Sequence, residues 1–122
     1  MVIYQIPNCP LVFVNDPTQR GRTEDHLMAQ GWVEFLDDPD KNPEWLLRLP
    51  MVKAGFQAMR AAEEFLREQG IAEIEGHIVT GGSKRGWASW LAGAVDCPDC
   101  VNVIGIAPLV PIVPDFKEII HS

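Results

Sequence analysis

The stretch HIVTGGSKRGWASW, residues 77–90, decides the fold of this 122-residue chain. An extended run leads into two glycines, a serine, two cations and a third glycine, and helix-forming residues follow. A tight turn between a strand and a helix can cradle a phosphate, or it can present a nucleophilic serine. The two interpretations predict different proteins, so the choice depends on the residues of the turn and on the chain around it.

The turn fits neither common phosphate-binding motif. A Walker-type loop requires G-x-x-x-x-G-K-[ST], which the residues GGSKRGW do not contain. A dinucleotide-binding turn, T-G-x-x-x-G-x-G, would need glycine where Arg85 and Trp87 stand, because the backbone has to approach the pyrophosphate there. Such a turn also usually follows the first strand, whereas this one begins at residue 80. We therefore predict no nucleotide cofactor.

The alternative is a nucleophile elbow, whose pattern is G-x-S-x-G between a strand and a helix. Gly81 stands two residues before Ser83, as the pattern requires. The next glycine, Gly86, follows Ser83 by three residues instead of two, so the bulky Arg85 occupies a position where a small residue is usual. The predicted strand before the serine and the predicted helix after it, from about residue 84 to 95, strengthen the match.

Helical spacing marks two further segments upstream of the turn. The first covers residues 23–36, and its apolar face is predicted to contain Met28, Trp32, Phe35 and Leu36. The second covers residues 50–69, with Pro50 in its first turn and Gly70 as its stop. Its predicted buried stripe is Val52, Phe56, Met59, Ala62 or Glu63, and Leu66.

The strands and helices alternate in a way that favours a mixed α/β fold. Strands are predicted over residues 1–6, at 77–80 and within 101–113, with a further extended piece at 11–16. Continuous apolar strands with right-handed helical crossovers predict a parallel sheet covered on both faces. Three strands make a thin slab with exposed flanks, so residues 1–122 are expected to be one piece of a larger domain.

Composition and charge exclude two classes of function. The chain has 10 Lys and Arg against 17 Asp and Glu, a net charge of −7, which argues against a nucleic-acid-binding protein. No apolar run approaches the roughly 20 residues that a membrane-spanning helix needs. A hydrophobic content of 47% instead fits a globular domain with a core.

The three cysteines indicate neither a disulfide framework nor a metal site. Cys97 and Cys100 have C-x-x-C spacing, but they follow a predicted helix, where the dipole does not favour a thiolate. A zinc site would need two more ligands, and neither Cys9 nor a distant histidine supplies a recognisable second pair. A structural or incidental role is expected, and no metal is predicted.

Four blocks, in order, resemble one known family. They are PNCPLVFVND, RTEDHLMAQGW, RLPMVKAGFQAM and GGSKRGWASWLAGAVD. Similar blocks in this order occur in the PhoPQ-activated pathogenicity-related protein family, which includes proteins named autocrine proliferation repressors. The resemblance covers nearly the whole chain and is more specific than any single motif. The sequence CPDC and the last ten residues depart from the family pattern.

The resemblance implies an α/β-hydrolase-like fold in proteins several times longer than this segment. The chain would then be a central fragment, with Met1 an internal methionine and the N- and C-terminal parts of the fold elsewhere. Because such triads run in the order Ser, acid, His, the acid and the histidine are expected outside this chain. Members of the family are expected to be secreted or periplasmic.

On this template Ser83 takes the nucleophile position. The backbone N–H of Lys84 would point toward a developing oxyanion, and Lys84 or Arg85 could add positive charge there. A simpler interpretation is that Ser83 only caps the following helix, with the cations solvated or paired to carboxylates. Trp87 and Trp90 are expected to be core or helix-packing aromatics.

The histidines of the chain are not expected to serve Ser83. His26 is predicted to lie on the surface of a helix. His77 opens the strand before the elbow, too far from the serine, and His121 comes too early to be the triad histidine. Local turn and cap interactions are expected to explain the acidic motifs NDP, residues 15–17, and TED, residues 23–25.

Three functions remain open from the sequence. The first is a part of a serine hydrolase that acts on an ester or peptide bond, in a small-molecule or peptide substrate, through Ser83 in the full-length form. The second is a secreted signalling or binding protein that regulates growth or virulence and uses a hydrolase scaffold without catalysis. The third is an isolated fragment with no activity of its own.

Overall fold

The structure is a computed structural model, and it describes residues 1–3, 10–95 and 101–109. The elements in chain order are α1 (Glu24–Asp37), a 3-10 helix (Pro43–Trp45), α2 (Arg48–Glu68), β1 (His77–Gly82), α3 (Lys84–Ala94) and β2 (Val103–Leu109). The chain divides into two compact units, Met1–Ala54 and Gly55–Ser122. The predictions for Cys9, Cys97, Cys100 and His121 lie outside the described residues, as does the predicted strand beyond residue 3.

The first unit contains a loop, residues 10–23, that closes on itself. Leu11 and Arg22 form an isolated antiparallel bridge, in which the N–H groups donate to the carbonyl oxygens at 2.9 and 2.8 Å. The extended piece predicted over residues 11–16 is wrong at residues 14 and 15, where the chain turns and the N–H of Asp16 donates to the carbonyl of Phe13 at 3.1 Å. The chain turns instead because Pro17 cannot donate to a ladder and the preceding carboxylate satisfies the loop backbone.

Asp16 holds this loop together from its tip. Its Oδ1 accepts hydrogen bonds from the backbone N of Thr18 at 2.9 Å and from the Thr18 hydroxyl at 2.7 Å. Its Oδ2 pairs with the guanidinium of Arg22. The hydrogen bond from Arg22, followed by those from Thr18, lowers the pKa of Asp16 to about 2. The prediction of a local turn at NDP is confirmed by these contacts.

The pKa of Asp16 provides a test of the loop. Because it is lower in the folded chain than the ordinary value of 3.8, the contribution of this carboxylate to stability is present above about pH 4 and is lost as the pH falls through 2. Replacing Arg22 with glutamine should raise the carboxyl pKa toward 3.8 in an NMR titration. Arg20→Gln, on the same loop, should leave it low; an equal rise in both variants would contradict the pairing.

The helix α1 is present where the sequence predicts it, but its apolar face differs from the predicted one. The positions buried along it are Leu27, Met28 and Gly31, and Trp32 and Phe35 are half-buried. Leu36 was predicted on the same face, but it is 72% exposed. At about 100° per residue, Leu36 lies roughly 130° from the centre of the buried stripe, which explains the error. His26 is exposed on this helix, as predicted.

The two ends of α1 are held differently, by backbone hydrogen bonds at the start and by a side chain at the end. Thr23 occupies the N-cap position, but its side chain makes no capping hydrogen bond, so the local cap predicted from TED is wrong. At the other end, Asn42 Nδ2 donates to the carbonyl of Glu34 at 2.9 Å. A Cβ at Gly31 would lie 2.5 Å from the Trp45 carbonyl oxygen. Glycine at this position therefore allows the 3-10 segment to lie close to the helix.

The helix α2 follows its predicted pattern closely. Val52, Phe56 and Met59 are buried, whereas four charged residues off this stripe are exposed: Lys53, Arg60, Glu64 and Arg67. Gly70 ends the helix in the left-handed conformation, with φ +64°. The N–H groups of Gly70 and Ile71 donate to the carbonyls of Arg67 and Leu66, each at 3.0 Å, which is the Schellman arrangement.

The second unit is built around a parallel β1–β2 pair joined through α3. The register runs from His77 opposite Val103 to Gly82 opposite Leu109, with an irregularity after His77. The helix α3 packs on both strands, and a Cβ at Gly93 would lie 2.9 Å from the Ile106 side chain. The mixed α/β class and the parallel pairing are thus confirmed.

The sheet is thinner than the sequence predicts. Within the described ranges it has two strands, and residues 1–3 belong to neither. The face opposite α3 is exposed, with Ile78 at 70% and Ile104 at 65%, so the expected cover on both faces is not seen there. Within the same ranges, no helix is long and apolar enough to cross a membrane.

Candidate active site at the turn between β1 and α3

Ser83 is the single residue between the end of β1 and the start of α3. Its backbone has φ 54° and ψ −122°, a combination that residues other than glycine rarely adopt. This conformation reverses the chain within one residue, so the helix runs back along the strand that precedes it. A strained serine at a sharp strand-to-helix turn is the geometry required of a nucleophile elbow.

Two glycines allow the turn to close this tightly. A Cβ at Gly81 would lie 2.6 Å from the carbonyl oxygen of Arg85, and a Cβ at Gly86 would lie 2.8 Å from that of Leu109. Contacts below 3.0 Å with backbone atoms leave no room for any side chain. A Cβ at Gly82, by contrast, would meet nothing within 4 Å. Gly86, which is displaced by one position relative to the G-x-S-x-G pattern, is therefore a glycine that the turn requires.

The position of Arg85 resolves the irregularity of the motif. The sequence predicts that a bulky residue here is atypical, because the elbow brings helix and strand backbones close together. In the structure, the Cβ of Arg85 lies beside Gly81, only 2.8 Å from where a Cβ of that glycine would be. The missing side chain at Gly81 makes the space that a small residue at position 85 would otherwise provide.

The turn is also tied to the carboxyl end of β2. The N–H of Ser83 donates to the carbonyl of Leu109 at 3.0 Å, and the N–H of Trp87 donates to the carbonyl of Ser83 at 3.1 Å. On the adjoining strand pair, the hydroxyl of Thr80 donates to the carbonyl of Ala107 at 2.6 Å. These bonds fix the backbone on both sides of Ser83 and so support its strained conformation.

The side chain of Ser83 does not act as a helix cap. Although Ser83 occupies the N-cap position of α3, its hydroxyl makes no capping hydrogen bond. N-cap residues also usually have extended backbone angles, which Ser83 does not. The residue is exposed and lies at the carboxyl end of the strand pair. The capping interpretation from the sequence is therefore wrong.

Lys84 and Arg85 form the first two positions of α3, and both are half-buried. The N–H groups at the start of a helix point out of its end and carry the positive pole of the helix dipole. An anionic oxygen that developed on a group attacked by Ser83 would be stabilised by such donors if they lay within reach. The two cations add positive charge beside the same residue.

His77 is engaged at the opposite end of β1. Its Nε2 lies 2.8 Å from Oε1 of Glu63 on α2, and both side chains are partly buried. At about 3.3 Å per residue along a strand, six positions place His77 roughly 20 Å from Ser83. It therefore does not serve as the base for Ser83, as the sequence predicts. In the described ranges, no cluster of three His, Cys, Asp or Glu residues could hold a metal ion.

The buried face of α3 contains a residue that sequence reasoning missed. Gly86, Ser89 and Ala92 are buried against the sheet, and Ser89 is 2% exposed. Its Oγ donates to the Arg85 carbonyl at 2.9 Å. The i, i+3, i+6 spacing of these small residues was the available signal. Trp90, expected in the core, is 48% exposed because it lies one position, about 100°, off this face; Trp87 is half-buried.

Comparison with known proteins agrees with the block pattern of the sequence. A curated relative, autocrine proliferation repressor protein A of Dictyostelium discoideum, is 48% identical over 92 residues. The match covers 75% of this chain but only 18% of the relative, so the chain corresponds to a small part of that protein. No solved structure matches the chain. The model of the PhoPQ-activated pathogenicity-related protein family matches residues 1–122, and the chain belongs to that family.

Proposed function

We propose that this segment supplies the nucleophile elbow of an α/β-hydrolase-like protein, and that Ser83 attacks an ester or peptide carbonyl in the full-length form. The observation that supports this proposal is the backbone of Ser83, at φ 54° and ψ −122° between a parallel strand and a helix. Strain of this kind persists only where surrounding contacts impose it, and it is concentrated at functional sites. Residues 1–122 are accordingly proposed to be a central piece of one larger domain.

The chemistry assigns a different task to each residue of the turn. Ser83 Oγ attacks the carbonyl carbon and passes its proton to a histidine base, because a serine hydroxyl is a weak nucleophile by itself. The N–H of Lys84 stabilises the oxyanion that forms, and the charge of Arg85 supports it. The base and its acidic partner are proposed to come from chain outside this segment, which matches only 18% of its relative.

A serine-directed fluorophosphonate probe tests this proposal on a full-length family protein that contains the segment. We expect covalent labelling that disappears in Ser83→Ala. Thr23→Ala is a suitable control, since it removes another exposed hydroxyl that makes no capping hydrogen bond. It should label as the unmodified protein does. Labelling that persists in Ser83→Ala would exclude Ser83 as the nucleophile.

The name of the relative favours a second candidate function. That protein is called an autocrine proliferation repressor, which describes a signalling role. On this hypothesis the present protein is a secreted signalling or binding protein that retains the hydrolase scaffold. Full biological activity of the Ser83→Ala protein would support it, whereas loss of that activity together with probe labelling would favour the enzyme.

A further inference from the structure

At the turn, the peptide group of Arg85 in α3 lies against Gly81 of β1. The atoms closest to a Cβ built at Gly81 all belong to Arg85: its carbonyl oxygen at 2.6 Å, its carbonyl carbon at 2.7 Å and its Cβ at 2.8 Å. A shift of a few tenths of an ångström in this peptide would therefore bring it into collision with the strand or open a gap. Something has to define where the Arg85 carbonyl sits.

Ser89 contacts that same carbonyl. Its hydroxyl donates to the Arg85 oxygen at 2.9 Å and is removed from solvent, with the residue 2% exposed. The neighbouring buried positions, Gly86 and Ala92, have no polar side chain. Alanine at position 89 would fill almost the same space as serine, but without the hydroxyl. A buried hydroxyl is unfavourable unless it is hydrogen-bonded, and the bond here reaches the carbonyl oxygen that lies nearest the position of a Cβ at Gly81.

Such a bond changes the shape of a helix. When a serine donates to the carbonyl four residues earlier, it competes with the backbone N–H for that oxygen and bends the helix slightly. In α3 the carbonyl that receives this bond, that of Arg85, lies in the first turn of the helix, directly after Ser83. The same turn contains Arg85, the residue that departs from the G-x-S-x-G pattern.

We propose that Ser89 is a positioning residue, which sets the first turn of α3 so that Arg85 fits against Gly81 while Ser83 keeps its conformation. Ser89 then compensates for a bulky residue at position 85, and the two positions are energetically coupled. The effect on stability follows from the geometry alone. The effect on the reactivity of Ser83 rests on the proposed hydrolase function.

A double-mutant cycle tests this coupling in the full-length family protein. Ser89→Ala, Arg85→Gly and the double variant are compared with the unmodified protein for the maximal rate and the half-saturating concentration of fluorophosphonate labelling. We expect Ser89→Ala to lower the maximal rate of labelling about tenfold and to leave the half-saturating concentration unchanged. In the Arg85→Gly background, the same substitution should lower the maximal rate less than about twofold. Ser89→Thr keeps the hydroxyl and should restore the rate.

The outcomes separate this proposal from the proposed function. Equal effects of Ser89→Ala in both backgrounds, or no effect in either, would overturn the positioning role while leaving Ser83 as the nucleophile. An unmodified protein that does not label would overturn the hydrolase function. The same cycle measured by urea unfolding then decides the role of Ser89: coupled effects support it, and additive effects reject it.

Discussion

Gly86→Ala should destabilise the unit formed by β1, α3 and β2 by about 1–3 kcal/mol, as overpacking of a tight contact does. The added methyl would lie 2.8 Å from the carbonyl oxygen of Leu109 and 2.9 Å from that of Gly81. Both are backbone atoms, so neither can rotate away. Relief requires α3 to move off the strands, which would also disturb the hydrogen bond between the N–H of Ser83 and Leu109.

Gly82→Ala is the matched control for this prediction. It adds the same methyl to the same turn, but at a place where nothing lies within 4 Å of the new atom. Its effect should be within about 0.5 kcal/mol of zero, as for substitutions away from packed features. Urea unfolding can be followed by tryptophan fluorescence, with Trp32 and Trp45 replaced by phenylalanine so that the signal comes from Trp87 and Trp90 of α3. Similar free energies for the two variants would show that Gly86 is not in a closed contact.

The elements that sequence predicts well are those specified by local patterns. The stripe of α2 and its glycine stop follow from 3.6-residue periodicity and from the freedom of glycine at positive φ, and both are found in the structure. The parallel pairing of β1 with β2 follows from an intervening helix. The apolar face of α1 is predicted less well, because Leu36 fits a helical repeat and yet lies outside the buried stripe.

The turn at Ser83 could be located from the sequence, but its geometry could not be predicted from it. The motif placed Ser83 correctly between strand and helix, whereas its backbone angles depend on which neighbours touch. Gly86 is displaced by one position in the motif because the pattern counts residues, whereas in the structure a Cβ at this position would lie 2.8 Å from the Leu109 carbonyl oxygen. The spacing of Ser89 could indicate a buried position but not the role of its hydroxyl, since the hydroxyl donates to a carbonyl that only the folded helix places within reach.

Replacing Ser83 should separate catalysis from stability. If Ser83 is the nucleophile, both Ser83→Ala and Ser83→Gly remove the attacking oxygen. Hydrolysis by the full-length protein should then fall by about 10⁴- to 10⁶-fold in each, as for other serine nucleophiles. Turnover of an activated ester, once a substrate is found, measures this loss. Activity that survives in either variant would show that another group attacks the carbonyl.

The two variants should differ in stability because only one of them removes the backbone strain. Alanine retains the Cβ that makes φ 54° and ψ −122° unfavourable, at a cost of about 1–3 kcal/mol, whereas glycine does not. Relief of this strain stabilises Ser83→Gly, but the greater freedom of glycine in the unfolded chain offsets about 0.5–1 kcal/mol of that stabilisation. Ser83→Gly should therefore be more stable than Ser83→Ala by about 1 kcal/mol in urea unfolding.

At position 89 the stability difference between the glycine and alanine variants should have the opposite sign. There the backbone is helical, so Ser89→Gly should be less stable than Ser89→Ala by about 1 kcal/mol, following ordinary helix propensity. A reversal between positions 83 and 89, measured in the same protein, isolates the strain at Ser83 from any general effect of glycine. If glycine is the less stable replacement at both positions, then Ser83 is not strained, and the main structural support for a nucleophile elbow is lost.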